Sequence, residues 1–185
     1  NFLAPYLSGE FGLDISGSVV IENNEAKNDK LGGGILAAMV PIRLSGSVQV
    51  RGNTATTGGG IFIQDVGLEL RDQVRITGNS VTGGNGRGGG ITLKDTVGSS
   101  LIGGSAVISG NTAVTGGGGI FLDDGAVAGS PVTFEPGASV TANTSNGGAG
   151  SGGGLYANNV NAGTIVTGGG VVTGNTPDNC ANITC

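Results

Sequence analysis

Hydrophobic residues alternate with polar residues over short stretches of the chain. Val74 and Ile76 flank one polar residue, and Leu68 and Leu70 flank another. A period of two residues predicts β-strands with one buried face, whereas the helical period of 3.6 residues is not found in any window. Gly, Asn and Ser separate the stretches, so the sequence predicts an all-β chain of short strands joined by tight turns.

This alternating pattern returns six times, each time with an asparagine three residues after an aliphatic residue. Consecutive asparagines are 29, 26, 32, 32 and 32 residues apart, so one repeat has about 30 residues. A glycine run that leads into another aliphatic residue follows in five of the repeats. Self-similarity at such a period is typical of solenoid proteins. The repeated asparagines are Asn24, Asn53, Asn79, Asn111, Asn143 and Asn175.

Three short strands per repeat predict a single-stranded parallel β-helix of about six coils, which we expect to be right-handed. A β-sandwich is the main alternative, but sandwiches do not usually repeat one side chain at one phase six times. We therefore divide the chain into an N-terminal cap or packing segment (1–18), the β-helix repeats (19–176) and a C-terminal disulfide loop (177–185).

Equivalent positions of a β-helix stack into columns, and two apolar columns should form its core. They are Val19, Val48, Val74, Ala106, Ala138 and Gly170, and Ile21, Val50, Ile76, Ile108, Val140 and Val172. The asparagines should form a third column that satisfies backbone groups at a bend, a structural role that we prefer to a row of ligand-binding side chains. Glu22 and Arg51 occupy equivalent positions one coil apart, which predicts an ion pair.

A further column should face outward, because its members lie between inward-facing residues. It consists of Leu36, Phe62, Thr92, Phe121 and Tyr156. An exposed apolar stripe of this kind usually marks a contact surface. Two interpretations remain open: the stripe contacts a partner, or the chain covers it with its own first residues. The aromatic residues available for such a cover are Phe2, Tyr6 and Phe11.

Composition narrows the possible functions. Glycine accounts for 41 of 185 residues without recurring at every third position, which excludes collagen, and 37% hydrophobic with 11% charged residues disfavours disorder. A net charge of −5 with scattered basic residues disfavours nucleic-acid binding. The chain has no His, and no apolar run is long enough for a membrane span. We expect neither a cofactor nor a bound metal.

Acidic residues provide the runner-up hypothesis, a carbohydrate-active β-helix. Asp65, Asp95 and Asp123 follow successive coils at nearly the same phase, Asp124 adjoins the last of them, and Lys94 adjoins the second. Glycoside hydrolases need two carboxylates, and an acidic cluster that holds Ca²⁺ beside a basic residue is typical of lyases. The simpler interpretation is that these side chains keep a strand edge soluble, so Ca²⁺ enters only with the enzyme hypothesis.

Hydroxyl side chains follow the repeated asparagines and suggest a second alternative. Regular threonine rows on a β-helix are able to bind ice, but only one such column is apparent in the sequence. It consists of Thr54, Ser80, Thr112, Thr144 and Thr176.

The end of the chain carries two cysteines, and the sequence contains two glycosylation sequons. Cys180 and Cys185 are close enough in sequence to form a small disulfide loop, which implies an oxidising compartment and an extracellular or cell-surface location. The sequons begin at Asn143 and Asn182. Asn143 belongs to the asparagine column, so Asn182 is the better candidate. The sequence starts with Asn1 instead of Met, and its opening stretch lacks the basic region of a signal peptide, so we expect a processed mature chain or an excised fragment.

The two landmarks of each repeat resemble those of the polymorphic outer membrane proteins, which are Gly-Gly-Ala before an aliphatic residue and Phe-x-x-Asn. Here Ile or Val replaces the Phe, and Gly replaces the Ala, so the likeness is to the broad class of β-helical surface repeats found in adhesins and autotransporter passengers. The resemblance implies an extracellular solenoid for adhesion or assembly, with structural motif residues. The first landmark occurs at Gly33-Gly34-Ile35, Gly59-Gly60-Ile61, Gly89-Gly90-Ile91, Gly118-Gly119-Ile120 and Gly153-Gly154-Leu155.

These observations predict a non-catalytic extracellular β-helix that assembles with itself, as an oligomer or filament, or binds a surface protein or glycan. The contact residues would be Leu36, Phe62, Phe121 and Tyr156. The alternatives are the carbohydrate-active protein and the ice-binding protein.

Overall fold

The computed structural model describes residues 12–28, 30–123, 131–158 and 165–185. Every regular element in these ranges is a β-strand, and every pair of neighbouring strands is parallel. The chain winds as a β-solenoid of about five turns of about 30 residues. The predicted parallel β-helix is therefore confirmed, and the six repeated asparagines mark the six levels that these turns connect. No described segment forms a helix with the length and apolarity needed to cross a membrane.

The strands form four sheets, which we name A to D in the order in which a middle turn of the chain passes through them. Sheet A contains Leu13–Ile15, Ile42–Leu44, Leu68–Leu70, Ser100–Ile102, Val132–Phe134 and Ile165–Thr167. Sheet B contains Val20–Glu22, Gln49–Arg51, Arg75–Thr77, Val107–Ser109, Ser139–Thr141 and Val171–Thr173. Sheet C contains Thr54–Ala55, Ser80–Val81, Thr112–Ala113 and Thr144–Ser145. Sheet D contains Ile35–Ala38, Ile61–Gln64, Ile91–Lys94, Ile120–Asp123, Leu155–Asn158 and Cys180–Ala181.

The prediction of three strands per turn misses sheet C, whose strands have only two residues. The paired strands of the solenoid also extend beyond the predicted repeat limits of 19 and 176. Leu13–Ile15 already pairs with the next strand of sheet A, and Cys180–Ala181 still pairs with sheet D. Strands this short lack the alternation that makes a longer strand visible in the sequence.

The core lies inside the solenoid and is built from the inward-facing columns. Val50, Ile76, Ile108 and Val140 are in register across sheet B, and none of them is exposed. Val19, in the first described turn, is 39% exposed. The predicted core columns are thus buried in the middle turns and more open at the first level. Each core side chain stacks on its counterparts in the turns above and below. The register of the strands therefore determines which core side chains pack against one another.

The C-terminal residues close onto the last turn. Cys180 and Cys185 are joined by a disulfide with their Cα atoms 6.1 Å apart, and Ile183 packs against the core. The disulfide predicted from the spacing of the two cysteines is therefore present.

Candidate functional site

The asparagines form one continuous hydrogen-bonded column at the corner between sheets B and C. The backbone N–H and Nδ2 of Asn53 both donate to Oδ1 of Asn79, at 2.9 and 3.0 Å. Nδ2 of Asn79 donates in turn to the carbonyl of Val50 at 2.9 Å. Asn111 and Asn143 repeat this set of bonds, and all four asparagines are at most 1% exposed. Both amide hydrogens of an interior member are thereby bonded within the protein.

The two ends of this column differ. Asn24 is exposed and donates to Oδ1 of Asn53. At the other end, the backbone N–H and Nδ2 of Asn175 donate to Oδ1 of Asn179, at 3.1 and 3.2 Å. Asn179 is a seventh member that the repeat does not predict, because it follows Asn175 by four residues instead of a full turn.

The column also decides between the two sequons. Asn143 is 0% exposed, and its Nδ2 donates to Ile108 and Asn175, so this amide is not accessible in the folded chain. Asn182 is exposed, and its Nδ2 donates to the carbonyl of Ala157 at 3.0 Å. Glycosylation of Asn182 stays a prediction.

The acidic residues do not form the row that the sequence predicts. Asp65 and Asp95 both follow a strand of sheet D and adopt left-handed φ angles of 62° and 48°, a conformation that Asp tolerates at turns. Asp123 is wrong as a third member, since it is in register with the residue before Asp95 and accepts a 3.0 Å bond from Asn158. Asp124 lies outside the described residues. Within the described residues, no three His, Cys, Asp or Glu side chains are grouped closely enough to hold a metal ion.

The outer face of sheet D is mostly covered, which corrects the expectation of an exposed stripe. Phe62 and Phe121 are only 3% and 4% exposed, and Thr92 between them is 1% exposed. Tyr156 is partly buried, and only Leu36, at 57%, is well exposed. Alternation along a strand predicts correctly that these side chains point out of the core, but it contains no information on what lies outside the sheet.

Glycine-rich segments of the chain itself provide the cover. Gly116 packs on the ring of Tyr156 so closely that an added Cβ would be 3.0 Å from Cγ. Arg87 lies over the rings of Phe121 and Tyr156, with its guanidinium carbon 5.1 and 5.6 Å from their centroids. The two rings stack at 5.8 Å. The alternative cover predicted from the sequence lies outside the described residues: Phe2, Tyr6 and Phe11.

A cleft of about 240 Å³ remains on the outer face of sheet D. Its lining includes aromatic, hydroxyl and amide side chains together with Arg87, Lys94 and Asp123. Nε of Arg87 is buried, and it is the one buried side-chain polar atom in the described ranges without a hydrogen-bond partner. The cleft thus combines two cations and one carboxylate with uncharged hydrogen-bonding groups, and Nζ of Lys94 also lies 3.9 Å from the carboxylate of Asp95.

Ion pairs cross the levels of the solenoid elsewhere on its surface. Nε of Arg51 donates to Glu22 at 2.7 Å, which confirms the predicted pair, although both side chains are more than 40% exposed and such a pair adds little stability. On sheet A, the 8% exposed side chain of Glu69 pairs with both Arg43 and Arg71.

The hydroxyl column predicted along sheet C is present, and a second one lies beside it. Oγ1 of Thr54 and Oγ of Ser80 are 3.2 Å apart in the first column. The second column lies in sheet B, two residues before each asparagine, and its members are in register. They are Thr77, Ser109, Thr141 and Thr173.

Comparison with known proteins finds no family model, no curated protein and no solved structure that matches the chain. The resemblance to β-helical surface repeats therefore stays a prediction from the motifs. The functional argument depends on the geometry of the described residues.

Proposed function

We propose that the protein is an extracellular, non-catalytic binding module, a rigid solenoid that attaches to a surface partner through the outer face of sheet D. The observation that carries this proposal is the juxtaposition of exposed apolar side chains and a polar cleft on one face. Leu31 lines the cleft and is 36% exposed, while Leu36 is 57% exposed and is paired in register with Phe62 of the cleft. Apolar surface that surrounds a few convergent polar groups is typical of binding sites.

The asparagine column supports the part of the proposal that concerns rigidity. Its interior side chains have their donors bonded within the protein, and their positions recur at every turn. Fully satisfied buried polar networks specify one arrangement of a core. A surface supported by such a core is preorganised, which lowers the conformational cost of binding.

The C-terminal disulfide supports the extracellular part of the proposal. Bonds such as that between Cys180 and Cys185 form and persist in oxidising compartments. The exposed sequon at Asn182 is compatible with the same location.

The binding proposal is tested by retention of the purified full chain on immobilised extracellular-matrix proteins and on a glycan array. Leu36→Ser should weaken retention at least about tenfold, because it removes an exposed apolar contact next to the cleft. Val171→Ser is the matched control, since Val171 is 51% exposed but belongs to sheet B. No retention of the wild type, or equal retention of Leu36→Ser, would contradict the proposal.

The same variants show whether the partner is a second copy of the chain. Sedimentation velocity over a range of concentrations should then reveal an oligomer or filament that Leu36→Ser disrupts and Val171→Ser preserves.

The enzyme alternative is tested by incubating the protein with acidic polysaccharides, with and without Ca²⁺. Shortening of the polysaccharide, followed by light scattering, would overturn the non-catalytic assignment.

Ice binding is a second candidate function, and the second hydroxyl column favours it. Two columns now run along the solenoid, one in sheet B and one in sheet C, with the asparagine corner between them. Because the columns belong to different sheets, they do not share one strand face. Thermal hysteresis of the wild type, reduced by replacing Thr112 with Val, would support this function over attachment to a surface partner.

A further inference from the structure

The third strand of sheet D, Ile91–Lys94, departs from its neighbours in one outward column. Thr92 occupies a column whose adjacent members are Phe62 and Phe121. Lys94 follows in the next outward column. Arg87, in the preceding segment, pairs with Gly116. In a solenoid, stacking sets the residue that suits each column, so a threonine between two phenylalanines indicates a local requirement that stacking does not supply.

Thr92 and the segment that precedes its strand fit one another physically. Thr92 is smaller than Phe, and its hydroxyl donates a 3.4 Å bond to the carbonyl of Arg87. Gly88, with φ of 65°, lies so close to the Thr92 hydroxyl that a side chain there would clash. The segment therefore approaches the sheet closely and places the guanidinium of Arg87 over the two aromatic rings. The position of Arg87 in the cleft is consequently set by contacts with Thr92 of its own turn and with the rings of Phe121 and Tyr156.

Arg87 has the properties of a preorganised anion receptor. Stacking on Phe121 and Tyr156 holds the planar guanidinium in one orientation and replaces part of its hydration. Its buried Nε lacks a hydrogen-bond partner among the described residues, and the same cleft contains Lys94 as a second cation. A planar guanidinium matches a carboxylate in bidentate geometry.

We infer that this cleft, which we call the Arg87 cleft, binds an acidic saccharide, with the sugar carboxylate on Arg87 and Lys94. The inference rests on the proposed function and specifies the chemistry of its partner. Asp123, Gln64 and the Thr57 hydroxyl of the lining supply acceptors as well as donors, which suits the hydroxyl groups of a sugar. The carboxylate of Asp123 and the net charge of −5 disfavour a densely anionic partner. A volume of about 240 Å³ is small for a ligand site and suits one sugar unit.

The direct test is a titration of the ¹⁵N-labelled full chain with glucuronate, monitored by NMR. The Arg87 Nε–H signal and the backbone amides of Gln64 and Lys94 should shift, with a dissociation constant of about 1 mM, as expected for so few ligand atoms. Glucose and acetate should each bind at least about tenfold more weakly, since each lacks half of the recognised groups. N-acetyl aspartate amide serves as the peptide probe and should also bind more weakly.

Substitutions separate the roles of charge and of geometry. Arg87→Gln should raise the dissociation constant for glucuronate at least about tenfold, and Arg87→Lys should also weaken binding because Lys lacks the planar fork. Arg75→Gln is the matched control, because Arg75 is exposed on sheet B and the charge change is identical. It should leave the dissociation constant unchanged. Thermal unfolding of each variant verifies that the fold is retained.

Several outcomes would overturn the inference. Absence of shifts with glucuronate, or the same dissociation constant in Arg87→Gln as in the wild type, would show that the cleft is not a binding site for this ligand. Equal or tighter binding of acetate, glucose or the peptide probe would show that the ligand class is wrong. Retention on surfaces that remains sensitive to Leu36→Ser, without glucuronate binding, would overturn only this inference. Loss of both would overturn the proposed function as well.

Discussion

The asparagine corner and the outer face of sheet D are organised in opposite ways. At the corner, the same side chain makes the same hydrogen bonds in successive turns, as Asn79 and Asn111 illustrate. On the outer face of sheet D, the cover, the cation and the cleft differ from turn to turn. A residue that recurs at equivalent positions in successive turns therefore indicates a role in stacking, whereas a residue that departs from its column indicates a local contact. Function is more readily sought in the second region than in the first.

The largest loss of stability should come from replacing an interior asparagine of the column. Asn111→Ala should lower the free energy of unfolding by about 4 kcal/mol, because the backbone N–H and Nδ2 of Asn79 lose their buried acceptor and the carbonyl of Ile76 loses a donor. Urea unfolding followed by circular dichroism measures the change. Asn24→Ala, at the exposed end, should cost at most about 1 kcal/mol. Equal costs would contradict the view that the interior of the column is what stabilises the corner.

The next largest loss of stability should come from replacing a covered aromatic residue on the outer face of sheet D. Phe121→Ala should lower the free energy of unfolding by about 3 kcal/mol, because the ring is 4% exposed and supports both Arg87 and Tyr156. Leu36→Ala on the same face should change it by less than about 0.5 kcal/mol, since Leu36 is 57% exposed. The same unfolding experiment distinguishes them. If Phe121→Ala were as mild as Leu36→Ala, the cover described here would be absent in solution.

These two predictions show what the sequence could and could not reveal. The columns, the ion pair of Glu22 with Arg51 and the asparagine corner follow from periodic positions, because stacking in register makes neighbours of equivalent residues. Asn179 was not predictable in this way, since it ends the column from a tail that does not repeat. The cover of Phe121 by Arg87 was missed for the same reason, as it depends on how closely a loop approaches the sheet.

The acidic row illustrates a different limit of sequence reasoning. A difference of one residue in phase removes Asp123 from the positions of Asp65 and Asp95, although the three seem equivalent along the chain. Turn lengths vary between repeats, so phase at the end of a strand is known only once the register is known. Because successive side chains of a strand point to opposite faces, an error of one position changes the predicted neighbours completely.

Two glycine substitutions, one at a stacked turn and one in an open loop, should differ by a smaller amount in their free energies of unfolding. Gly119→Ala should cost about 2 kcal/mol, because the new Cβ would lie 2.7 Å from the carbonyl of Gly154 and 3.0 Å from Nδ2 of Asn143. Gly84→Ala should be neutral within about 0.5 kcal/mol, since the added Cβ would have no atom within 4 Å apart from its chain neighbours and the φ of Gly84 is not left-handed. Thermal unfolding of both variants tests this contrast. A comparable loss at Gly84 would mean that glycine is required throughout the loops and not only where turns stack.

The smallest expected difference concerns the cation of the cleft. Arg87→Gln should lower the free energy of unfolding by about 1 kcal/mol, the usual contribution of a cation over aromatic rings. Arg75→Gln should leave it within about 0.5 kcal/mol, as for most surface substitutions. Urea unfolding at low ionic strength resolves the pair best. A loss of several kcal/mol at Arg87 would show that this side chain is mainly structural, which would weaken its assignment to ligand binding.

The asparagine column also gives the molecule an electrical direction. Each side-chain amide accepts through its oxygen from the preceding level and donates through its nitrogen to the following one, so the amide dipoles all point along the solenoid axis. Aligned dipoles add and polarise one another, as peptide units do in a helix. The negative pole lies at Asn24, and the positive pole faces Asn179. A solenoid built in this way carries an axial dipole moment that grows with the number of turns, with its opposite partial charges at the two ends.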